Sequence, residues 1–379
     1  MKPIPPTMRT YLESERQAMI ELIFTLARIP APLKQEERRA VFCKKWLENA
    51  GAKGVFLDSA FNVVYPYRCD RYSDMVVFLA HTDTVFPPDT PLDLKVDGNI
   101  VSCPGIWDNT ANVAILLALA KYVAIHHPEP ECGILFVFNS GEEGLGNLHG
   151  IRKIMDAYGS RVKSVISLDG SFTEVTGTAV GSMRYRITLE AEGGHSYDNF
   201  GNRSAIERLA SMICRLYDIP IPAIEGSKTT YNVGIVNGGT SVNAIAQKAE
   251  MLYEYRSDSP ECLEIMRREF ERVMDEIRPT CKKLQVEVLG ARPCGNIDPA
   301  VENALLERVL EAICLATGLT RPVRSGSTDC NIPLSMGIPA AAFCGCAGGG
   351  AHTREEYLDL DSLPAGTEAA ATLLMSYFE

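Results

Sequence analysis

Hydrophobic positions along the chain change period repeatedly, and each change marks an element. Residues 9–29 place Leu22, Ile23, Leu26 and Ile29 at helical spacing and stop at Pro30 and Pro32, which predicts an amphipathic helix ended by proline. A second helix is expected over residues 34–50, with Gly51 just past its end, where glycine accepts a left-handed backbone. Short apolar runs follow at 55–57, 63–67 and 75–80, then at 134–138, 162–168 and 339–344. Runs this short and apolar, stopped by turn residues, read as strands, the strongest of them buried on both faces of a sheet. Helical patterns at 109–125, 146–158, 301–317 and 362–378 alternate with them, and 98–104 reads as a hairpin and turn. Strands and helices in alternation predict an α/β domain, here a mixed sheet flanked by helices.

The texture changes near residue 178. Tyr185, Ile187 and Leu189 alternate with Arg186, Thr188 and Glu190, the pattern of a half-exposed strand. Gly193-Gly194-His195-Ser196 interrupts it, and a helix is expected over 204–217. Strands at 230–236 and 247–256 flank NGGTSVNAIA, followed by a helix over 261–277 and a strand at 284–289. The order β-α-β-β-α-β predicts a small α+β sandwich with helices on one face of an antiparallel sheet. The expected division is therefore 1–177 and 293–379 for one domain, with 178–292 inserted as a second.

Composition narrows the function classes. The chain has 379 residues, 46% hydrophobic and 22% charged, enough for more than one core. Its formal net charge of −11 offers no basic face for nucleic acid and is compatible with cation binding. Twelve cysteines form no CxxC pair, and Cys344-Gly345-Cys346 is too tight for ordinary zinc spacing. They read as small core hydrophobes of a reduced, cytoplasmic protein. The opening MKPIPPTMRTYLESERQ lacks the apolar stretch of a signal peptide. Residues 111–125, the longest apolar helical stretch, contain Lys121 and are too short to span a bilayer, so no membrane partner is expected.

Candidate chemistry centres on residues 135–146, LFVFNSGEEGLG. Glu142 and Glu143 follow the end of an apolar strand, where open α/β sheets place their ligands. Two adjacent acids there are costly unless a cation or a transferable proton shares the site; the plainer reading is first-turn helix acids favoured by the macrodipole. The 75–80 strand runs into His81-Thr82-Asp83, and residues two apart in extended backbone share a face. His81 is then a ligand with Asp83 fixing its tautomer, or a satisfied structural histidine. Asp108 stands near a helix start, where capping explains it. Asp169 precedes Gly170, as turn aspartates do. His352 follows the glycine-rich 345–350 loop, whose glycines allow close backbone approach. His126, His127, His149 and Trp107 keep structural readings.

The pattern lies in the joint placement. His81, Glu142-Glu143, Asp169 and His352 each follow the end of a different strand. Two imidazoles with carboxylates suit zinc, and also cobalt or manganese. More than four ligands point to two metals about 3.5–4 Å apart, bridged by a carboxylate and a water. No GxSxG elbow supports a serine hydrolase, and no GxGxxG follows a strand.

AHTDTV, DNT, GEEGLG, LDG, EGGHSYDNFGN, GGTSVNAIA, STDCNIPLSMGIP and GGGAHTREEY occur in this order. With them the chain resembles, over nearly its whole length, the dinuclear-zinc peptidase family of peptidase T, aminoacylases, succinyl-diaminopimelate desuccinylase and glutamate carboxypeptidase. The resemblance implies a zinc-peptidase α/β domain with an inserted lid. It implies that His81 and Asp169 hold one metal, Glu143 and His352 the other, and that Asp108 bridges them. Asp83 would orient His81, and Glu142 would be the general base. His195 would stabilise the oxyanion, in many relatives across a dimer interface of the lid. Asn243 and Arg256 would contact the substrate, a short peptide or N-acyl amino acid, with Arg256 gripping a carboxylate. Aspartate at 169 resembles the aminopeptidases and dipeptidases, whereas carboxypeptidases and many deacylases use glutamate there. The expected activity is an aminopeptidase on short peptides, with an N-acyl-amino-acid deacylase or carboxypeptidase as the alternative. An inactive binding protein on the same fold would have lost Glu142 or a ligand, and all seven catalytic and metal positions are present. Two departures stand out: Thr110 replaces the usual lysine, and Ala246 a common proline.

Overall fold

Four strands, Gly133–Asn139, Met75–His81, Val162–Leu168 and Ala340–Phe343, lie side by side and parallel at the centre of an eight-stranded sheet. They are buried at nearly every position, as a sheet covered on both faces requires. Val76, Phe78 and Ala80 join one core with the helices Pro6–Ala27, Asn112–His126, Pro299–Thr317 and Leu363–Met375. Val77 and Leu79 join another with Ile151 and Ile154 of the helix His149–Tyr158. The period of two thus feeds two helical layers. Val63–Tyr67 runs antiparallel on one side, and Val175–Ala179 lies antiparallel to Ala340–Phe343 on the other, so the sheet is mixed. The computed structural model describes residues 1–378, and the chain divides into two units, Met1–Ala179 with the chain from Asn296 onward, and Val180–Gly295.

Helix boundaries follow local chemistry. Asp298 accepts from the N–H of Ala300 at 2.8 Å to start Pro299–Thr317, which ends at left-handed Gly318, an N-cap and a C-terminal glycine. The stretch Ile106–His126 has the length and hydropathy of a membrane span, yet 83% of its apolar window is buried within the protein; it is a turn leading into the core helix Asn112–His126.

Several elements differ from the sequence pattern. Val323–Gly326 is an edge strand and Val175–Ala179 lies next to it, but Thr176, Gly177, Ser325 and Gly326 give them the composition of loops. Asn331–Ser335 is a short helix within the STDCNIPLSMGIP segment. The glycine-rich run contributes Ala347–Gly349 to a small sheet with Tyr357–Asp359 and the hairpin Lys95–Asp97/Ile100–Ser102. A Cβ at Gly348 would lie 2.6 Å from Trp107 Cγ, so glycine here serves packing as well as flexibility.

The second unit carries the antiparallel sheet Thr229–Gly238, Lys248–Ser257, Gly181–Glu190, Lys283–Arg292 in that order. The helices Ala205–Tyr217 and Pro260–Ile277 bury Leu209, Met212, Met266 and Phe270 against Tyr185, Ile187 and Met251. Phe270 stacks on Tyr185 with ring centroids 4.2 Å apart. The element order is the β-α-β-β-α-β read from the sequence.

Candidate metal centre

Because the four central strands are parallel and adjacent, their carboxyl ends share one edge. His81 closes its strand opposite Asn139, Glu142 and Glu143 follow three and four residues on, and Asp169 follows Leu168. Asp108 comes from the turn Ile106–Ala111 and His352 from the loop after Ala347–Gly349. The Asp108 carboxylate joins them. Its Oδ1 is 3.1 Å from His81 Nε2 and its Oδ2 is 3.2 Å from His352 Nε2. His81 Nε2 is also 3.8 Å from Asp169 Oδ1, and His352 Nε2 is 3.3 Å from Glu143 Oε1. Two trios result, His81–Asp108–Asp169 and Asp108–Glu143–His352, with Asp108 common to both. Glu142 falls in a third group with His81 and Glu143.

Capping does not explain Asp108. It leaves helical φ/ψ, the helix starts at Asn112, and no side chain caps that start. The Asp108–Asn109 peptide is cis. Thr110, in place of lysine, bonds the Gly105 carbonyl at 2.5 Å and accepts from buried Arg39 at 3.3 Å, so this position braces the turn.

The donor set fits divalent cations. Ligands of a tetrahedral ion with bonds of ~2.1 Å stand ~3.4 Å apart, and the four separations above run from 3.1 to 3.8 Å. Without a cation the carboxylates drive protons onto the imidazoles. Hydrogen bonds to Asp108 and Glu143 push His352 up to about 10. Burial alone would lower His81, but hydrogen bonds to Asp108, Asp169 and Asp83 outweigh it and raise it. Burial would likewise raise Asp108, yet the two imidazoles hold it well below the carboxylate range. Burial pushes Glu143 up. A site that pulls this strongly on protons offers the same lone pairs to a metal.

Asp83 meets His81 through its backbone as well as its side chain. His81 Nδ1 lies 3.1 Å from the Asp83 backbone carbonyl and 3.6 Å from its carboxylate. The carbonyl is thus the closer acceptor, and donation to it turns the Nε2 lone pair toward Asp108 and Asp169. The carboxylate accepts the N–H groups of Glu142 and Glu143 at 3.2 and 2.8 Å. Asp83 therefore ties the His81 strand end to the loop carrying both glutamates.

Two buried carboxyls escaped the sequence reading. Asp329 accepts from Asn139 Nδ2 at 2.7 Å, behind the strand ends of His81 and Asn139, and burial pushes it up to about 7. Glu356 is fully buried and is likewise pushed up to about 7, with backbone N–H groups pulling the other way. Their only signal is membership of STDC and HTREE.

The remaining predicted residues belong to the second unit. His195 pairs with Ala244 on a two-stranded ladder; its side chain is half exposed, and its Nδ1 accepts from the N–H groups of Tyr197 and Asp198 at 3.3 Å. Asn243 adjoins that ladder, its backbone carbonyl accepting from Ser196 and its Oδ1 from Ser241 Oγ at 2.6 Å. Arg256 is held by Glu254 through both Nε and Nη2, at 2.9 and 3.0 Å. The fork expected to grip a substrate carboxylate is filled from its own strand.

Residues 77–376 match the model of peptidase family M20/M25/M40. The chain belongs to this family. Among curated relatives, a probable carboxypeptidase of Uncinocarpus reesii is 27% identical over 212 residues, 50% of this chain and 47% of that protein. The chain thus spans about half the length of the first curated relatives it matches. A putative succinyl-diaminopimelate desuccinylase of Mycobacterium tuberculosis is 23% identical across 92% of this chain and 96% of that one. Among solved structures, a tripeptidase of Staphylococcus aureus superposes with a TM-score of 0.78 at 19% identity, covering 96% of this chain and 98% of that one. Aminopeptidase PepT of Bacillus cereus gives 0.72 at 20% identity, covering 94% and 97%. At these identities the superpositions show a shared fold.

Proposed function

We propose that this M20 hydrolase removes the first residue of short peptides with a free amino terminus. Asp108 carries the reading: one carboxylate faces two imidazoles from opposite parts of the chain, as a bridge between two cations does. His81 and Asp169 would hold one ion, Glu143 and His352 the other, with Asp108 between; zinc suits the set, as do cobalt and manganese. When bound, such ions polarise the scissile carbonyl and make water a better nucleophile. Glu142 takes the proton from the attacking water on a carboxylate oxygen and returns it to the leaving nitrogen. Its backbone is fixed by Asp83, so the base is held before substrate arrives. His195 would stabilise the developing oxyanion, and Asn243 would orient the substrate. Arg256 would take a substrate carboxylate by exchanging it for Glu254. We also propose that the second unit serves as lid and dimer surface. All twelve cysteines are free, in keeping with a reducing, cytoplasmic compartment.

Asp169 favours the aminopeptidase reading through the motif resemblance, and the tripeptidase and PepT folds accord with it. The carboxypeptidase relatives favour the alternative of releasing a carboxy-terminal residue, and the desuccinylase relative that of releasing an acyl group. The test is hydrolysis by the zinc-, cobalt- or manganese-loaded protein of a free tripeptide, its N-acetylated form and simple N-acyl amino acids, with products identified by mass. Loss of the first residue from the free tripeptide alone supports the proposal. Release of the last residue, or cleavage of acyl substrates alone, would replace it.

A further inference from the structure

We infer that Glu356 is a positioning residue that sets Asp108 and His352 in register. The inference rests on the metal-centre reading above. Glu356 is 0% exposed, and its carboxylate accepts three backbone N–H groups of one turn. Gly105 donates to Oε2 at 2.9 Å, and Trp107 and Asp108 donate to Oε1 at 2.8 Å each. The Glu356 carbonyl also accepts from the N–H of Cys103 at 3.1 Å. Donors this close in sequence converge because Gly105 takes a left-handed φ of 74°, making the backbone a concave anion cradle. A Cβ at Gly105 would lie 2.6 Å from Thr84 Cγ2, so the cradle admits only glycine there. The carboxylate it holds is supplied by the chain itself.

The segment bearing Glu356 also bears His352. It grips the Asp108 turn a second time, where Trp107 Nε1 donates to the Cys346 carbonyl at 3.2 Å and the Trp107 ring packs over Gly348. Between these two grips His352 sits at a φ of 66° with its side chain 55% exposed. Packing around the imidazole therefore does little to place it; the anchored ends of its segment do. One carboxylate thus joins two stretches about 250 residues apart, each delivering a group to the same centre.

Glu356→Gln keeps the volume but turns one acceptor oxygen into a donor facing an N–H. Metal-free protein titrated with Co²⁺, followed by visible absorption and calorimetry, tests this without peptide hydrolysis. The wild type should take two equivalents, and E356Q should bind the weaker one about 10–100-fold less tightly, with its circular dichroism unchanged. Glu355→Gln, an exposed neighbour, should bind as the wild type does. Should E356Q fail to fold, Trp107→Phe loosens the second grip alone and should weaken the same equivalent severalfold. Wild-type cobalt affinity in folded E356Q, or in W107F where that variant stands in, would overturn the inference whatever the melting temperature. A wild type that binds no cobalt would remove the metal-centre reading and this inference with it.

Discussion

The two units hold their proposed functional residues in opposite ways. In the first, His81, Asp83, Glu142, Glu143 and Asp169 are buried and sit on or beside the ends of parallel strands whose positions the core fixes. In the second, His195 and Asn243 are exposed on a short ladder, and Arg256 is occupied by Glu254. The first arrangement is complete before any substrate arrives; its carboxylates and imidazoles already stand at ligand spacing. In the proposed reaction, the second is a set of groups that exchange their local partners for a substrate. Preorganisation thus belongs to the candidate metal centre and adaptability to the groups proposed for recognition.

This contrast predicts graded effects. Glu142→Gln should lower kcat about 10³-fold while metal content stays at the wild-type value; lost metal would make Glu142 a ligand and blur the division. His195→Ala should lower kcat about 10²-fold, again with full metal content, since the centre is built without it. A metal loss in this variant would tie the two regions together. Arg256→Ala should raise KM about tenfold with kcat nearly unchanged; an unaltered KM would leave Arg256 as the partner of Glu254 and nothing more.

How much of this was legible follows the same contrast. The central strands announce themselves as apolar runs ended by His81, Asn139, Leu168 and Phe343, so the ligand-bearing edge could be read directly. Position 108 is different: from the residues alone it looks like a cap before a helical pattern, the motif resemblance implies a bridge, and the folded turn sets its carboxylate between two imidazoles. Asp83 was placed correctly beside His81, but its grip on the Glu142 and Glu143 amides is a tertiary fact. Val175–Ala179 and Val323–Gly326, the last two strands on one side of the sheet, read as loops because of their threonine, serine and glycine. Glu356 and Asp329 carry no sequence signal of burial, since their partners are backbone amides and an asparagine distant in the chain.

A smaller effect separates scaffold from centre. Glu302 accepts from the N–H of Ala340 on a central strand, and burial pushes its carboxyl from 4.5 up to about 7. Below about pH 4.5 it is protonated whether the chain is folded or not and costs nothing. As pH rises through about 7 the unfolded chain ionises first, so stability falls, and above that the penalty is fully present. Glu302→Gln should therefore stabilise the first unit by on the order of 2–3 kcal/mol at pH 8 and hardly at all at pH 4, read from thermal melting. Equal effects at both pH values would show that ionisation is not the cause.

We propose that one carboxylate, Asp108, serves two cations. The most direct measurement is metal content per chain after zinc loading and exhaustive dialysis, for the wild type and for Asp108→Ala. Two equivalents are expected in the wild type and fewer than one in the variant, because both ions lose a shared ligand. A wild type holding a single equivalent, or an Asp108→Ala protein that still holds two, would contradict it.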